Sequence, residues 1–252
     1  MADREPTSDR RPCLMLHGLG GGPYELQPLI DAVESSGRAV HAPVLPGHEG
    51  PGPRMPASSW RDWTSRAETW YDDMASTKAP AAVVGFSTGA MIALHLASRR
   101  KVDRLVLLAP FLAIRHTGRL PFRPAGLLRV IARWAPDIPR RGAAVRDPEM
   151  RRWASAHDRF RTFNLHATLS ALELIEEVKP RLAAVDAPSL IVQGRLDSIV
   201  EPWGAAWLHG RMKPGLSRLI ELPRSDHLIA LDRERGAMIE SVLEFLDEST
   251  AG

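Results

Sequence analysis

Cysteine is nearly missing from this chain. Cys13 stands alone among 252 residues, which excludes an intrachain disulfide and a thiolate metal cluster. It lies in a short apolar run and reads as a small buried residue rather than a nucleophile. Long apolar runs are missing too: the longest, residues 105–114, is about half of the ~20 residues that a membrane-spanning helix needs. Residues 1–11 are charged and polar, with no apolar stretch of the kind that a secretory signal carries, so a cytoplasmic protein is expected. Net charge is small. With 33 basic against 30 acidic residues, +3 overall, no nucleic-acid partner is expected. The chain also lacks the Gly-x-Gly-x-x-Gly fingerprint, and its one glycine-rich loop after a strand does not end in Gly-Lys-Ser/Thr. No cofactor and no metal are expected.

What remains is an ordinary globular composition, 44% hydrophobic and 25% charged, long enough to bury a sizeable core. Short apolar or β-branched runs at 13–16, 39–45, 81–86, 102–110, 189–194 and 217–222 read as strands. Helical patterns fall between them: residues 24–36, the stripe Trp60, Trp63, Ala67, Trp70 and Met74, the run 91–97, residues 203–211, and a terminal helix that turns Met238, Val242 and Leu246 inward. Strands alternating with helices predict an α/β fold, a mostly parallel sheet with helices on both faces. Residues 1–10 read as a disordered tail. The alternation breaks at 112–186, which show helical patches and no convincing strand. This stretch is expected to be an insertion of short helices over the sheet, between core segments 11–111 and 187–252. It holds 14 basic and 8 acidic residues, against 19 and 22 elsewhere. Its positive charge reads as a solvated helix surface, with attraction to lipid interfaces or fatty acids as the sharper reading. Leu127, Leu128 and Ile131 form one apolar patch. A second, Leu165, Leu169 and Leu172, is expected to roof a substrate pocket.

The chemistry centres on Gly85-Phe86-Ser87-Thr88-Gly89. A Gly-x-Ser-x-Gly sequence between a strand and a helix is a nucleophile elbow: the turn lifts the serine above the sheet edge, over the helix N-terminus. A serine nucleophile needs a base, and the base needs an orienting carboxylate. Asp197 follows the strand ending near Gly194, and His227 follows the strand ending near Leu222. Both should emerge at the same edge as Ser87. Asp103 precedes its strand. Asp226 adjoins His227 and should point away from it, while Glu201 is the reserve acid. The backbone N–H of Thr88 is expected to serve as one oxyanion donor, and that of Leu19, in the loop His17-Gly18-Leu19-Gly20-Gly21-Gly22, as another. His17 and His48 read as loop-pinning residues.

These motifs, with Pro46-Gly47-His48, Gln193-Gly194-Arg195-Leu196-Asp197 and Ser225-Asp226-His227, resemble the bacterial carboxylesterase and monoacylglycerol lipase group of the α/β-hydrolases. The resemblance runs from Arg11 to near the end of the chain and is weakest in the insertion. It implies an α/β-hydrolase core, a cap domain at the insertion, and cofactor-free hydrolysis of small esters with short to medium acyl chains, or of monoacylglycerols. Asp226 departs from the group, which usually has glycine before this histidine. A thioesterase or acyltransferase with the same triad remains an alternative, as does a non-catalytic small-molecule receptor on the same scaffold.

Overall fold

A computed structural model describes residues 10–50, 52–75, 80–115, 132, 134–140, 142–157 and 160–248. Most of the expected tail, residues 1–9, and the patch Leu127, Leu128 and Ile131 lie outside the described residues.

Six parallel strands form the central sheet, in the order β2-β1-β3-β4-β7-β8. They are β1 (Cys13–Leu16), β2 (Val40–His41), β3 (Ala82–Phe86), β4 (Leu105–Leu108), β7 (Ser189–Gly194) and β8 (Ser217–Leu222). Every residue of β1, β3, β4 and β7 is buried, as expected for parallel strands covered on both faces. Their alternate side chains divide between two apolar layers. Leu14, Leu16, Val83, Leu105 and Leu107 face one layer. Cys13, Met15, Val84, Val106 and Leu108 face the other.

The helices pack accordingly. Against the second layer lie α1 (Gln27–Ser35), through Leu29, Ile30 and Val33, and α7 (Arg235–Asp247), through Met238, Val242, Phe245 and Leu246. On the first layer lie α2 (Trp60–Ala75), α3 (Thr88–Ala97), α5 (Leu165–Val178) and α6 (Trp203–His209). Of the sequence stripe on α2, Trp63 and Ala67 are buried and Trp60, Trp70 and Met74 are half-buried against the same layer; Tyr71, outside the stripe, is buried as well. None of the described helices is long and apolar enough to cross a membrane.

Several expected bounds move. The helix expected at 24–36 opens as a 3-10 turn, Pro23–Leu26, before α1. β2 is far shorter than the expected 39–45, because Pro43 has no N–H to continue the ladder. The larger corrections concern residues 112–186. They contain two short strands, β5 (Asp137–Pro139) and β6 (Thr162–Asn164), paired antiparallel. Three residues each are too few to show a period-2 pattern. Helix α4 (Pro148–His157) lies between them. Helix α5 packs against α2 and α3. Asn164 caps it, accepting from His166 N at 3.0 Å and Ala167 N at 3.2 Å. Its buried side chains, among them Ala167, Ala171, Leu174, Ile175 and Val178, join the first core layer beside α2 and α3.

The in-register pairs Leu16↔Gly85, Phe86↔Leu108 and Gly194↔Leu222 align the carboxyl ends of the strands. The loops after β1, β3, β7 and β8 therefore leave from one edge, where parallel sheets place their sites.

Candidate active site

Ser87 links β3 to α3 with φ 54° and ψ −114°, a conformation that costs a side-chain-bearing residue of order 1–3 kcal/mol. The two flanking glycines make the turn possible. A Cβ on Gly85 would stand 2.3 Å from the Gly89 carbonyl oxygen, and one on Gly89 would stand 2.1 Å from that of Leu16. Both contacts are with backbone, which cannot swing aside.

His227 reaches Ser87 from the loop after β8, with Nε2 3.0 Å from the serine Oγ. Its Nδ1 lies 2.8 Å from Asp197 Oδ2. Asp197, fully buried, also accepts from Gln193 Nε2 at 2.9 Å and, through Oδ1, from the backbone N–H groups of Ile199 and Val200 at 2.9 and 2.8 Å. Burial alone would favour its neutral form. The charge and hydrogen bond of His227, with the two backbone donors, outweigh that and hold the carboxyl below its ordinary range. For His227 burial disfavours the cation, but the adjoining Asp197 carboxylate prevails, with Glu25 and Asp226 adding to it, and the imidazole is raised above its ordinary range.

The structure thus brings together the three side chains expected from the sequence, and sets two competitors aside. Asp103 is paired with Arg11, at 2.6 Å. Asp226 accepts from the Ser198 N–H and hydroxyl, both at 2.8 Å, and from its neighbour's backbone N–H, that of His227, at 2.9 Å. Its other oxygen meets Arg146 Nε at 3.0 Å. It ties the loop that bears His227 to the loop that bears Asp197. Gln193 and Gly194 were quoted from sequence only as part of the motif that ends in Asp197, with no role of their own. The signal for Gly194 was a glycine closing an apolar strand: a Cβ there would lie 2.3 Å from the Asp226 carbonyl oxygen, so only glycine lets the His227 loop cross the end of β7.

The glycine-rich loop after β1 is held from three sides. Gly18 N–H donates to Glu25 Oε2 at 3.0 Å, Gly20 N–H to His48 Nε2 at 2.9 Å, and Gly21 N–H to the Gly18 carbonyl at 3.3 Å. His17 accepts from Leu45 N–H at 3.0 Å. The N–H of Leu19, between two committed neighbours, has no acceptor among the described residues. That of Thr88, first in α3, has none within its helix.

Ser87, Thr88, Leu19 and His227 border a cavity of about 390 Å³. Phe86, Phe111, Phe163 and Leu228 give it apolar walls, and Ile114, Ile138 and Ile199 lie at its exposed mouth. The expected pocket leucines are elsewhere. Leu165 and Leu169 pack with Ala132, and Leu172 lies against the first core layer. The side chains by which α5 joins the core are Ala167, Ala171, Leu174, Ile175 and Val178, with only Leu172 of the expected three beside them. The one α5 residue that lines the cavity is Thr168. No group of three His, Cys, Asp or Glu side chains suited to a metal occurs among the described residues.

Known proteins agree with this architecture. The chain is similar to the thermostable monoacylglycerol lipase of Bacillus sp. (strain H-257), at 25% identity over 234 residues that span 92% of this chain and 88% of the relative. It is equally similar to the carboxylesterase of Bacillus subtilis (strain 168), at 25% identity over 237 residues, 93% of this chain and 92% of the relative. The crystal structure of Paleococcus ferrophilus monoacylglycerol lipase shares the fold, with a TM-score of 0.78 at 21% identity over 94% of this chain and 95% of that one. A family model described as Serine aminopeptidase, S33 matches residues 7–234. Since that match runs from before β1 to beyond His227, the chain belongs to this family of α/β-hydrolases and is a hydrolytic enzyme.

Proposed function

We propose that this protein cleaves carboxylic esters of short to medium acyl chains, monoacylglycerols among them, through an acyl-enzyme on Ser87. The observation that carries the reading is the unbroken Ser87–His227–Asp197 relay bordering a largely apolar cavity. His227 Nε2 takes the Ser87 proton as Oγ attacks the ester carbonyl. Asp197, saturated with donors, stays ionised and fixes the tautomer that leaves Nε2 free to accept. The oxyanion is received by the N–H groups of Leu19 and Thr88. Each such donor typically contributes about 10²–10³ in rate. The alcohol departs with the proton from His227, leaving the acyl group on Ser87. Water then gives its proton to His227, its oxygen attacks the acyl carbonyl, and acid and free serine are restored. The two curated relatives, a monoacylglycerol lipase and a carboxylesterase, support esters as the substrate class. Residues 112–164 are proposed as the cap, with α5 belonging to the core. The cytoplasmic location is part of the same proposal.

The test is a panel of p-nitrophenyl esters and p-nitroanilides, with fluorophosphonate labelling. Ester turnover, stoichiometric labelling at Ser87, and a loss of 10⁴-fold or more in Ser87→Ala are expected. Labelling at another residue, or activity retained in Ser87→Ala, would refute the mechanism. Anilides cleaved faster than esters would replace the substrate class.

A further inference from the structure

The cavity has an apolar body but a charged lining that does not cancel. Three acidic or basic side chains border it besides His227: Glu25, Arg115 and Arg140. Glu25 and Arg140 offset each other. Glu25 Oε1 lies 3.9 Å from Arg140 Nη2, while its other oxygen holds Gly18 N–H. Arg140 also donates to the Gly20 carbonyl and lies over the Phe163 ring, 5.2 Å from its centroid. Arg115 has no carboxylate partner among the described residues. Its described side-chain hydrogen bond goes from Nη1 to the Asp197 backbone carbonyl, which leaves most of the five guanidinium donors uncommitted.

The backbone around Arg115 is well anchored. Glu201 N–H donates to the Ala113 carbonyl at 2.9 Å, Arg115 N–H donates to the Ile199 carbonyl at 2.8 Å, and Ile114 forms an antiparallel bridge with Val200. The segment is thus zipped to the loop that follows Asp197. A half-buried cation thus borders the cavity along with Ile114 and Ile199, which are 39% and 41% exposed. A wholly apolar substrate that filled the cavity beside it would strip water from the guanidinium and return nothing, a costly desolvation. A carboxylate would replace that water with charge-assisted, bidentate hydrogen bonds.

We infer that Arg115 selects esters carrying a free carboxylate, such as half-esters of dicarboxylic acids or esters of carboxylated alcohols, with the ester at Ser87 and the anion at the guanidinium. This deepens the esterase reading and rests on it.

Two soluble matched pairs test it: monomethyl adipate against its ω-amide for an anion on the acyl side, and 4-acetoxybenzoate against 4-acetoxybenzamide for one on the leaving group. The quantity read is the ratio of kcat/KM, carboxylate over amide, in wild type, Arg115→Gln and Arg115→Lys. Taking the ratio within each enzyme removes any general effect of the substitution on the nearby Asp197 loop. In at least one pair the ratio should fall about tenfold or more in Arg115→Gln. Arg115→Lys should retain most of it, and the wild-type ratio should shrink as salt is raised. Wild type alone supplies a second measurement, independent of how the variants fold: adipate should inhibit p-nitrophenyl butyrate hydrolysis competitively, and adipamide much less. Ratios unchanged by Arg115→Gln in both pairs, or equal inhibition by acid and diamide, overturn the inference while ester hydrolysis stands. Failure of wild type to cleave any ester overturns the esterase reading, and this inference with it.

Discussion

Acid should destabilise this protein through two histidines outside the proposed chemistry. His17 and His48 are buried, and each uses both ring nitrogens. His17 accepts Leu45 N–H on Nε2 and faces the Gly18 carbonyl with Nδ1 at 2.8 Å. His48 accepts Gly20 N–H on Nε2 and faces the Pro46 carbonyl with Nδ1 at 3.1 Å. One donor and one acceptor per ring is the neutral imidazole, and a second proton would point at a backbone N–H. Burial above all pushes His17 down to about 3, with His48 adding to it, and burial pushes His48 down to about 4. In the unfolded chain both titrate near 6.5, so unfolding takes up protons below that pH and stability falls as the pH drops. The loss is complete only when the folded pKa values are reached. At pH 5 it amounts to about 2 kcal/mol per histidine, about 4 kcal/mol together, a large share of the 5–15 kcal/mol typical of a domain. His227 works in the opposite sense. Its raised pKa gives stability that is present at low pH and is lost as the pH rises through the folded value. Urea unfolding followed by tryptophan fluorescence at pH 8 and pH 5 isolates the effect when wild type is compared with His48→Gln, because the other groups cancel in the difference. Over this interval the variant should lose about 2 kcal/mol less than wild type. Equal losses, with equal m values, would refute the reasoning.

Three further outcomes are expected. The acid limb of kcat/KM, which follows His227, should lie above pH 6.5; Glu25→Gln should move it to lower pH by removing a carboxylate that stabilises the imidazolium, and a pH titration of initial rates would detect this. Thr168→Trp should shift the optimum of a C2–C16 ester series to shorter chains, because Thr168 lines the cavity, whereas Leu169→Trp should leave the profile in place because Leu169 packs outside it. Gly89→Ala should abolish soluble expression or cooperative folding, since the new methyl meets backbone of β1 at 2.1 Å; a purified variant with wild-type melting behaviour would contradict this.

Local chemistry explains what could be read directly from the residues of this protein. Buried parallel strands must be apolar runs. The Ser87 turn needs Gly85 and Gly89, and any side chain at the carboxyl end of a parallel strand must emerge at one edge. Those constraints act between chain neighbours, so Ser87, Asp197 and His227 could be placed relative to one another before any coordinates. The role of Leu172 on α5 could not. Helical spacing shows that a face is buried but not against what, and only the packed structure put that face on α2 and α3 rather than over the cavity. The β5–β6 pair was hidden because three-residue strands carry no period. The commitments of Gly18, Gly20 and Gly21, which single out the N–H of Leu19, join residues up to 28 apart. The standing of Arg115 depends likewise on which carboxylates the fold brings near it. Periodicity and turn chemistry are properties of the sequence, whereas partner choice among buried polar groups is decided by tertiary structure, because burial makes each such group find its partner wherever the chain brings one within reach.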